Sequence, residues 1–399
     1  MPDAISKSAA PAAQTIYLDN QATTPTDPRV LQDVINMLQT RSVGNPHSEH
    51  FVGRRAAAAV EVARAQIADL IGARPEEIFF TSGATEANNI AIRGIGRHDQ
   101  GRNHVLTVAT EHKCVLESAL SLRDQGFDVE ILPVGEDGLL DLDQLSSSIR
   151  DRTALVSVMA ANNEIGVLQP IADVAAICRE RDIVFHTDAA QAAGKIPLDV
   201  RSTGIDLMSL SGHKLYAPIG IGALFISDDS PIRPEGQLRG GGQEGGIRSG
   251  TLPAHLAVAM GTAAAICRES MQVDATHASS LRQRFLEIVQ SRIPYARVNA
   301  ESAPRLPGNL SLTIPGVDAD HLVGALQPHV AVSTNAACSS GVLQPSHVLQ
   351  AIGLRNDLAE STIRLGFGRF NTLQEVETAA VLISDVAAQI GENRGASAA

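Results

Sequence analysis

The chain has 399 residues, of which 44% are hydrophobic and 19% are charged, and this size and composition predict a globular protein with one large and one smaller domain. The formal net charge of -12 argues against a nucleic-acid-binding protein held by phosphate neutralisation, although it leaves room for a local basic patch. No apolar run reaches the length of a membrane span.

The first residues and the cysteines indicate the compartment. Residues 1–14 are small and polar, and they lack both the apolar stretch of a secretory signal and the arginines of a transit peptide. We therefore expect a disordered tail and a cytoplasmic protein. No CxxC pair or Cys/His cluster suggests a metal, and the cytoplasm disfavours disulfides, so at least one thiol is expected to be free for chemistry. The cysteines are Cys114, Cys178, Cys267 and Cys338.

Short β-rich runs alternate with amphipathic helices through the first two-thirds of the chain. Several of the runs are continuously apolar, as expected for strands that are buried on both faces. The alternation predicts a mostly parallel, seven-stranded sheet with helices on both faces, including helices at Arg54–Ile71 and Ile171–Glu180. The predicted strands are Ile78–Thr81, His104–Ala109, Val129–Val134, Ala154–Ala160, Ile183–His186, Leu207–Leu210 and Gly222–Ile226.

The pattern changes after the glycine-rich stretch Gly240–Gly250. A long helix is predicted from about Ala254 to Val289, followed by a shorter α/β part that ends in a helix near Leu373–Ile390. We place the domain boundary within the long helix. The expected division is a tail at 1–14, a segment associated with the small domain at 15–25, a large domain at 26–268, a small domain at 269–392 and a disordered tail at 393–399.

Polar clusters follow five of the predicted strands. In open α/β sheets, ligands bind beyond the carboxyl ends of the strands. Five clusters in such positions predict one site, whatever its chemistry. The clusters are Ser82-Gly83-Ala84-Thr85, Thr110-Glu111-His112, Asn162-Asn163-Glu164, Thr187-Asp188 and Ser211-Gly212-His213-Lys214.

Lys214 and Asp188 each have an ordinary and a functional interpretation. A lysine at a strand end is usually a solvated charge, whereas a lysine that forms a Schiff base needs a site that lowers its pKa. An aspartate just past a strand is commonly a helix N-cap; alternatively, it faces a pyridinium nitrogen and keeps the ring protonated. Gln191, three residues further on, is placed to bond the phenolic oxygen of such a ring.

The turn Ser82–Thr85 joins a strand to a helix, and its small residues favour an anion site at the helix N-terminus. As a bare motif this signal is weak. It is not a Walker loop, and no G-x-G-x-x-G follows an early strand, which argues against a nicotinamide site. His112 is either a capped surface residue or a side chain that stacks on a flat cofactor and moves protons.

Cys338 lies in a run of small residues, Thr334–Gly341, which predicts a flexible, polar loop that suits a nucleophile. Cys178 and Cys267 lie on apolar helical faces, which favours buried, unreactive thiols. Cys114 stays ambiguous, because it is two residues from His112 at the expected start of a helix. Arg364 is either a surface ion-pair partner or a fork for a carboxylate.

Taken together, these segments resemble the cysteine desulfurases, a branch of the class-V aminotransferase family with the fold-type I architecture of enzymes that use pyridoxal 5'-phosphate. The resemblance runs over nearly the whole chain, to about Arg369. Each short motif is weak, but their order and spacing are highly specific. The matching stretches are Tyr17–Pro25, Gly44–Ser48, Thr81–Glu86, Thr110–Lys113, Asn162–Gly166, Ser211–Lys214 and Arg248–Thr251.

The resemblance implies pyridoxal 5'-phosphate as the cofactor and L-cysteine as the substrate. It implies that Lys214 holds the cofactor covalently and that Cys338 accepts the sulfur. Thr251 would reach the phosphate of a neighbouring subunit, which implies a homodimer with shared sites. The resemblance further implies that His112 stacks on the ring and transfers protons, that Asp188 contacts the pyridine nitrogen and that Gln191 contacts the phenolic oxygen. It implies that the phosphate is bound by Ala84, Thr85, Ser211 and His213, and that the substrate is bound by Asn45, Asn163 and Arg364.

The function that follows is conversion of cysteine to alanine with a persulfide on Cys338. A protein acceptor would take the sulfur for iron–sulfur cluster assembly or for thiolation of tRNA or other cofactors, with no direct nucleic-acid or membrane binding. The loop is similar to the longer, mobile form in the family. After the last helix we expect no extra tail for docking an iron–sulfur scaffold.

Two kinds of alternative remain open. A selenocysteine lyase or an aminotransferase on the same fold is the nearest; the first would reject cysteine, and the second would not need Cys338. A non-catalytic sulfur-relay platform is the other, but such a protein would be expected to lose Lys214 or Asp188, and both are present.

Overall fold

The computed structural model describes residues 15–39, 44–95, 101–334, 337–339, 342–344 and 346–397, with 337–339, 342–344 and 392–397 described by their backbone alone. Its strands are β1 (Ile16–Tyr17), β2 (Ile78–Thr81), β3 (His104–Val108), β4 (Asp128–Leu132), β5 (Thr153–Ser157), β6 (Val184–Asp188), β7 (Leu207–Ser211), β8 (Gly222–Ile226), β9 (Arg297–Val298), β10 (Asn309–Thr313), β11 (Val330–Ala331), β12 (Ser333–Thr334), β13 (Ala337–Ser339), β14 (Val342–Gln344) and β15 (Thr362–Gly366). Its helices are α1 (Pro28–Gln39), α2 (Phe51–Ile71), α3 (Ala84–Ile95), α4 (Lys113–Leu120), α5 (Leu142–Ser148), α6 (Ile171–Arg179), α7 (Val200–Thr203), α8 (Ala254–Arg292), α9 (Ala319–Leu326), α10 (His347–Ala351), α11 (Asn356–Ala359) and α12 (Leu373–Ser397).

The central sheet has seven strands in the order β2-β8-β7-β6-β5-β3-β4. Strands β3 to β7 run parallel, and β8 runs antiparallel to both of its neighbours. Successive side chains point to opposite faces, so Phe79 and Leu155 enter one core cluster while Phe80 and Val156 enter another. Helices therefore cover both faces, and the prediction of a mostly parallel, seven-stranded α/β sheet is confirmed.

Three predicted strand ends are wrong by at least two residues. The strand predicted to end at Val134 ends as β4 at Leu132. The strand predicted to run to Ala160 ends as β5 at Ser157, although Val158 N still donates to His186 O at 3.1 Å and keeps the chain beside β6. The next strand was predicted to end at His186, but β6 continues to Asp188. Asp188 is thus the last residue of the strand and does not follow it, because its backbone still pairs with β7 opposite Ser209.

A second, antiparallel sheet has the order β12-β15-β10-β9 and packs with α9 and α12 around its own core. The long helix α8 contributes to both cores. Its first half, up to Cys267, packs in the core cluster on one face of the seven-stranded sheet, and its second half, from Ala278, packs in the core of the second sheet. Strand β1 pairs with β11 beside the second sheet. The domain boundary within α8 stays a prediction.

Two C-terminal expectations are corrected. The segment around Cys338 was predicted as a loop, but β13 and β14 form a short hairpin in which Cys338 lies opposite Leu343. Pairing across that hairpin satisfies backbone groups that the small-residue composition alone does not reveal. Helix α12 runs to Ser397, beyond the predicted end at Ile390 and into the predicted tail, because no proline interrupts it. Among the described residues, no helix is long and apolar enough to cross a membrane.

Candidate active site

A cavity of about 490 Å³ lies where the turns after β2, β3, β5, β6 and β7 meet. Asn45 and Thr251 are not among its lining residues, and the side chain of Cys338 lies outside the described part of the structure. The predicted site residues that the structure brings together on its wall are Ala84, Thr85, His112, Asn163, Asp188, Gln191, Ser211, His213, Lys214 and Arg364.

Lys214 ends the short 3-10 turn that follows β7. Its Nζ donates to the backbone oxygens of Gln21 and of Ala22, the latter at 2.6 Å. Burial lowers the pKa of the amine to about 7, and the nearby cations Lys195 and Arg364 act in the same direction. A neutral amine is therefore available near neutral pH, which an exposed lysine does not offer.

The chain segment that carries Gln21 is clamped to this turn. Thr24 N donates to His213 O at 2.9 Å, and Tyr216 N donates to Thr24 Oγ1 at 2.8 Å. Tyr216 itself has a φ of 65°, a left-handed conformation that is rare for a bulky residue. The strain lies two residues from Lys214 and is held by the N-terminal segment, so folding of that segment decides where the amine points.

Asp188 is 5% exposed, and both of its carboxylate oxygens are hydrogen-bonded. Asn88 Nδ2 donates to Oδ2 at 2.7 Å, and the backbone N–H of Ala190 donates to Oδ1 at 2.9 Å. These two donors hold the carboxylate in one orientation on the cavity wall. Asn88 was not predicted as a site residue, although its place three residues after Thr85 on α3 puts both side chains on the same helix face.

The turn between β2 and α3 approaches β8 very closely. A Cβ at Gly222 would lie 2.6 Å from Gly83 Cα, so only glycine fits there. The approach brings the N-terminus of α3 to the cavity wall, where its backbone N–H groups favour an anion. Glu86 already accepts from Ser82 N at 2.6 Å and pairs with Arg248 Nε at 3.0 Å, so its charge is compensated.

Two histidines on the cavity wall are neutral at physiological pH. His213 contacts Thr23 Oγ1 through Nδ1 at 3.1 Å, and burial, with Lys214 and Lys195 adding to it, lowers its pKa to about 4. His112 is the N-cap of α4, and its Nδ1 accepts from Cys114 N at 3.2 Å, which assigns the ring proton to Nε2. The ring opens into the cavity, yet desolvation by the surrounding protein lowers its pKa.

Arg364 on β15 brings the second sheet to the same cavity. Its Nη2 pairs with Asp19 Oδ1 at 2.9 Å, and its Nη1 reaches the backbone oxygen of Asn163 at 3.4 Å. Its Nε is buried and has no hydrogen-bond partner among the described residues. The guanidinium is thus oriented by Asp19 and retains a donor, as a carboxylate-binding fork requires. Asp19 was not predicted, although it lies in the Tyr17–Pro25 stretch.

Three of the four thiols lie in the described part of the structure. Burial raises the pKa of Cys114 and of Cys178 to about 12 and also raises that of Cys267. Cys114 lies on the cavity wall, with its Sγ 3.2 Å from Asn88 Nδ2. All three are therefore protonated at neutral pH and poor nucleophiles, which resolves the ambiguity over Cys114.

The sequence matches the family described as aminotransferase class-V over residues 16–378. It is 49% identical to the cysteine desulfurase of Homo sapiens, with 92% of this chain and 80% of the human protein covered. It is 47% identical to the cysteine desulfurase IscS of Rickettsia bellii, with 92% and 90% covered. The chain belongs to the cysteine desulfurase family.

Solved structures of similar fold agree with this assignment to the family. A NifS-like protein has a TM-score of 0.87 at 33% identity, with 94% of this chain and all of that chain (100%) covered. SspA in complex with cysteine has a TM-score of 0.78 at 36% identity, with 89% of this chain and 99% of that chain covered. The fold-type I architecture predicted for the desulfurase is confirmed.

The family depends on pyridoxal 5'-phosphate, and the donor set of the desulfurase's cavity fits that cofactor. It contains an amine with a lowered pKa at Lys214, a buried carboxylate at Asp188 and a helix N-terminus at Ala84. An aldehyde, a pyridine nitrogen and a phosphate need these three kinds of partner. No group of His, Cys, Asp and Glu among the described residues is arranged to hold a metal ion.

Proposed function

We propose that the amine of Lys214 and the thiol of Cys338 together convert L-cysteine to L-alanine and a protein-bound persulfide. The observation that carries the proposal is the placement of the Lys214 amine, with its pKa lowered to about 7, in one cavity with Asp188, Gln191 and Arg364. The high-pKa thiols of the three described cysteines support Cys338 as the sulfur acceptor.

The cofactor would be held from three sides. Lys214 attaches it, Asp188 faces the pyridine nitrogen, and Gln191 donates to the phenolic oxygen. The N-terminus of α3, with Ser211 and His213, binds the phosphate, and His112 covers the ring. When bound, pyridoxal phosphate withdraws electrons from the Cα and Cβ atoms of an attached amino acid.

The substrate carboxylate would bind Arg364 and Asn163. Asp19 keeps the guanidinium in place, and the buried Nε of Arg364 supplies a further donor. The complex of the similar protein SspA with cysteine supports cysteine as the substrate class. Asn45 is proposed to contact the substrate as well, from its exposed position before α2.

The protein groups then transfer protons at Cα and Cβ of the substrate and one sulfur atom to Cys338. The neutral amine of Lys214 removes the proton from Cα of the substrate and returns a proton to carbon. The Cys338 thiolate attacks the substrate sulfur, so that an S–S bond forms and the Cβ–S bond breaks. Cβ takes up a proton, alanine leaves, and Cys338 carries the persulfide.

We further propose a cytoplasmic homodimer in which Thr251 reaches the phosphate bound by the partner. Thr251 is exposed at the end of the glycine-rich stretch and does not line the cavity of its own chain, which is what a residue serving a partner requires. The persulfide sulfur would pass to a protein acceptor for iron–sulfur cluster assembly or for thiolation of tRNA or other cofactors.

Replacing Cys338 tests the transfer step. The Cys338→Ala variant is expected to bind the cofactor as the native chain does, because no cavity-lining residue changes, but to release no alanine or sulfide from cysteine. Absorbance of the bound cofactor and quantification of alanine measure the two properties. Cys178→Ala is the matched control, since this thiol is buried in α6 away from the cavity. Normal alanine release by Cys338→Ala would refute the assignment.

A further inference from the structure

A second lysine, Lys195, lies in the turn that follows β6. Its Nζ donates to the side-chain oxygen Oε1 of Gln191 at 3.1 Å. Burial lowers the pKa of this amine to about 8. Near neutral pH the group is therefore mostly protonated, and it places a cation inside the protein behind a residue of the cavity wall.

This contact determines how Gln191 presents its amide. An ammonium group only donates hydrogen bonds, so the atom of Gln191 that faces Lys195 is the oxygen. The amide nitrogen then lies on the other side, where one N–H donates to the backbone oxygen of Gln21 at 2.9 Å. Gln191 lines the cavity, so the second N–H of the same nitrogen is available to a ligand there.

The oxygen of Gln21 also accepts from Lys214 Nζ. The two amines are therefore the ends of one hydrogen-bonded chain that runs from Lys195 through Gln191 and the Gln21 carbonyl to Lys214. In this series of hydrogen bonds, the backbone oxygen of Gln21 accepts from both Gln191 and Lys214. These contacts connect Lys195 to two residues of the cavity wall, Gln191 and Lys214.

Charged groups from several elements surround Lys214. Lys195 and Arg364 lower the pKa of its amine, after burial, while Asp19 and Asp188 raise it. His213 and His112 are neutral at physiological pH because burial lowers the pKa of each. Lys195 is thus one of the charges that set the pKa of Lys214.

We infer that Lys195 is a positioning residue that holds the Gln191 amide with its N–H group toward the cavity and adds a positive charge to the surroundings of Lys214. The inference rests on the proposed function, in which Gln191 binds the phenolic oxygen of the cofactor and Lys214 attaches it. Lys195 itself does not line the cavity. It acts through two residues that do.

The charge is tested on the cofactor-free chain by competitive acetylation of amines with acetic anhydride at a series of pH values. The sequence has four lysines, Lys7, Lys113, Lys195 and Lys214, so each is read separately by peptide mass spectrometry. Lys195→Met is expected to raise the pH at which Lys214 becomes reactive by about one unit, because a nearby like charge is removed. Lys195→Arg retains the cation and keeps the native value.

An unchanged titration of Lys214 in Lys195→Met would overturn the electrostatic part of the inference. Lys113 is the internal reference in every sample. The measurement involves no turnover of cysteine, so its failure is distinguishable from failure of the proposed desulfurase reaction.

The orientation of Gln191 is tested with pyridoxamine 5'-phosphate, which has the phenolic oxygen but forms no imine with Lys214. Lys195→Met is expected to weaken its binding about three- to tenfold, the effect of one misplaced hydrogen bond. In a Gln191→Leu background the same change should cost much less, because the hydrogen-bonded residue that Lys195 orients is gone and only the effect of its charge remains. An equal loss in both backgrounds would overturn the positioning role.

Two controls separate positioning from folding. Lys195→Met should not lower the thermal unfolding midpoint, since it removes a desolvated ammonium and keeps an apolar side chain of similar length. Arg268→Met makes the same change in formal charge on α8, where the side chain is 61% exposed and pairs with Asp69 at 3.5 Å. It should leave both the Lys214 titration and pyridoxamine phosphate binding at native values.

Discussion

At the scale of single residues, burial favours the neutral form of a base, Lys214, on the cavity wall and of an acid, Glu111, in the protein interior. The amine of Lys214 has its pKa lowered to about 7, and the fully buried carboxyl of Glu111 has its pKa raised well above its ordinary range by burial, with Asp188 adding to the effect. Glu111 accepts from Met159 N through Oε1, while its Oε2 is buried without a partner among the described residues. Burial therefore favours the protonated, neutral form of Glu111.

This neutral acid has a consequence for stability. Above the ordinary carboxyl pKa, the unfolded chain releases the proton of Glu111 and the folded chain retains it, so the native free energy of unfolding falls as pH rises through that range. Glu111→Gln is neutral at every pH and escapes this loss. We expect its thermal midpoint to exceed that of the native chain by a few degrees at pH 8 and by less at pH 5.

Calorimetry of the cofactor-free chain at several pH values measures the difference. The exposed Glu117→Gln on α4 makes the same change in formal charge and should show no such trend. A midpoint difference between Glu111→Gln and the native chain that stays constant from pH 5 to pH 8 would show that Glu111 is ionised in the fold.

At the scale of elements, the site depends on how closely β8 lies against the turn before α3. A Cβ at Gly222 would meet both Gly83 Cα and Leu210 O at 2.6 Å. Both contacts are with backbone, which does not move aside as a flexible side chain does. Because residue 222 has no side chain, the turn before α3 can pack directly against β8. This contact sets the distance from the N-terminus of α3 to Ser211 and His213.

Gly222→Ala tests this arrangement. We expect it to displace the turn, to weaken binding of pyridoxal phosphate at least about tenfold and to lower the free energy of unfolding by roughly 1–3 kcal/mol. Fluorescence titration and urea unfolding measure the two effects. Gly324→Ala is the matched control, because a Cβ at that helical position meets nothing within 4 Å and should stabilise α9 slightly. Native cofactor affinity in Gly222→Ala would contradict the role of the close approach.

At the scale of the whole molecule, the cavity wall contains an apolar side chain that this chain does not cover. Ile219 lines the cavity and is 73% exposed, and Leu238, near the glycine-rich stretch, is 46% exposed. Large apolar groups left in water beside a ligand site are typical of surfaces that another subunit covers. They support the proposed homodimer, in which Thr251 serves the partner's site.

Ile219→Asp places a charge on that surface. We expect it to shift the protein toward monomers and to weaken cofactor binding, because a carboxylate is costly to bury at an interface. Sedimentation equilibrium over a range of protein concentrations reports the association. Val273→Asp on α8 is the matched control, with 71% exposure and no place on the cavity wall. If Ile219→Asp associates as the native chain does, this surface is not the dimer interface.

The sequence by itself determined the sheet and the edge at which the site lies. Apolar runs with turn residues between them are local signals, and parallel strands must present their carboxyl ends together, so the pattern alone puts Lys214, Asp188 and Thr85 near one another. The resemblance then supplied their roles. Local patterns failed at the ends of β5 and β6, because pairing with a strand distant in the sequence decides where each strand ends. They also missed the hairpin around Cys338, because its small residues do not show the apolar alternation of a strand.

Only the tertiary structure decided which groups tune those residues. The pair of Asp19 with Arg364, the carbonyls of Gln21 and Ala22 at Lys214, and the contact of Asn88 with Asp188 join segments far apart in the chain. Hydrogen bonds and desolvation act through space and not along the chain. No local pattern therefore distinguished Lys214, whose pKa is about 7, from a lysine that remains solvated.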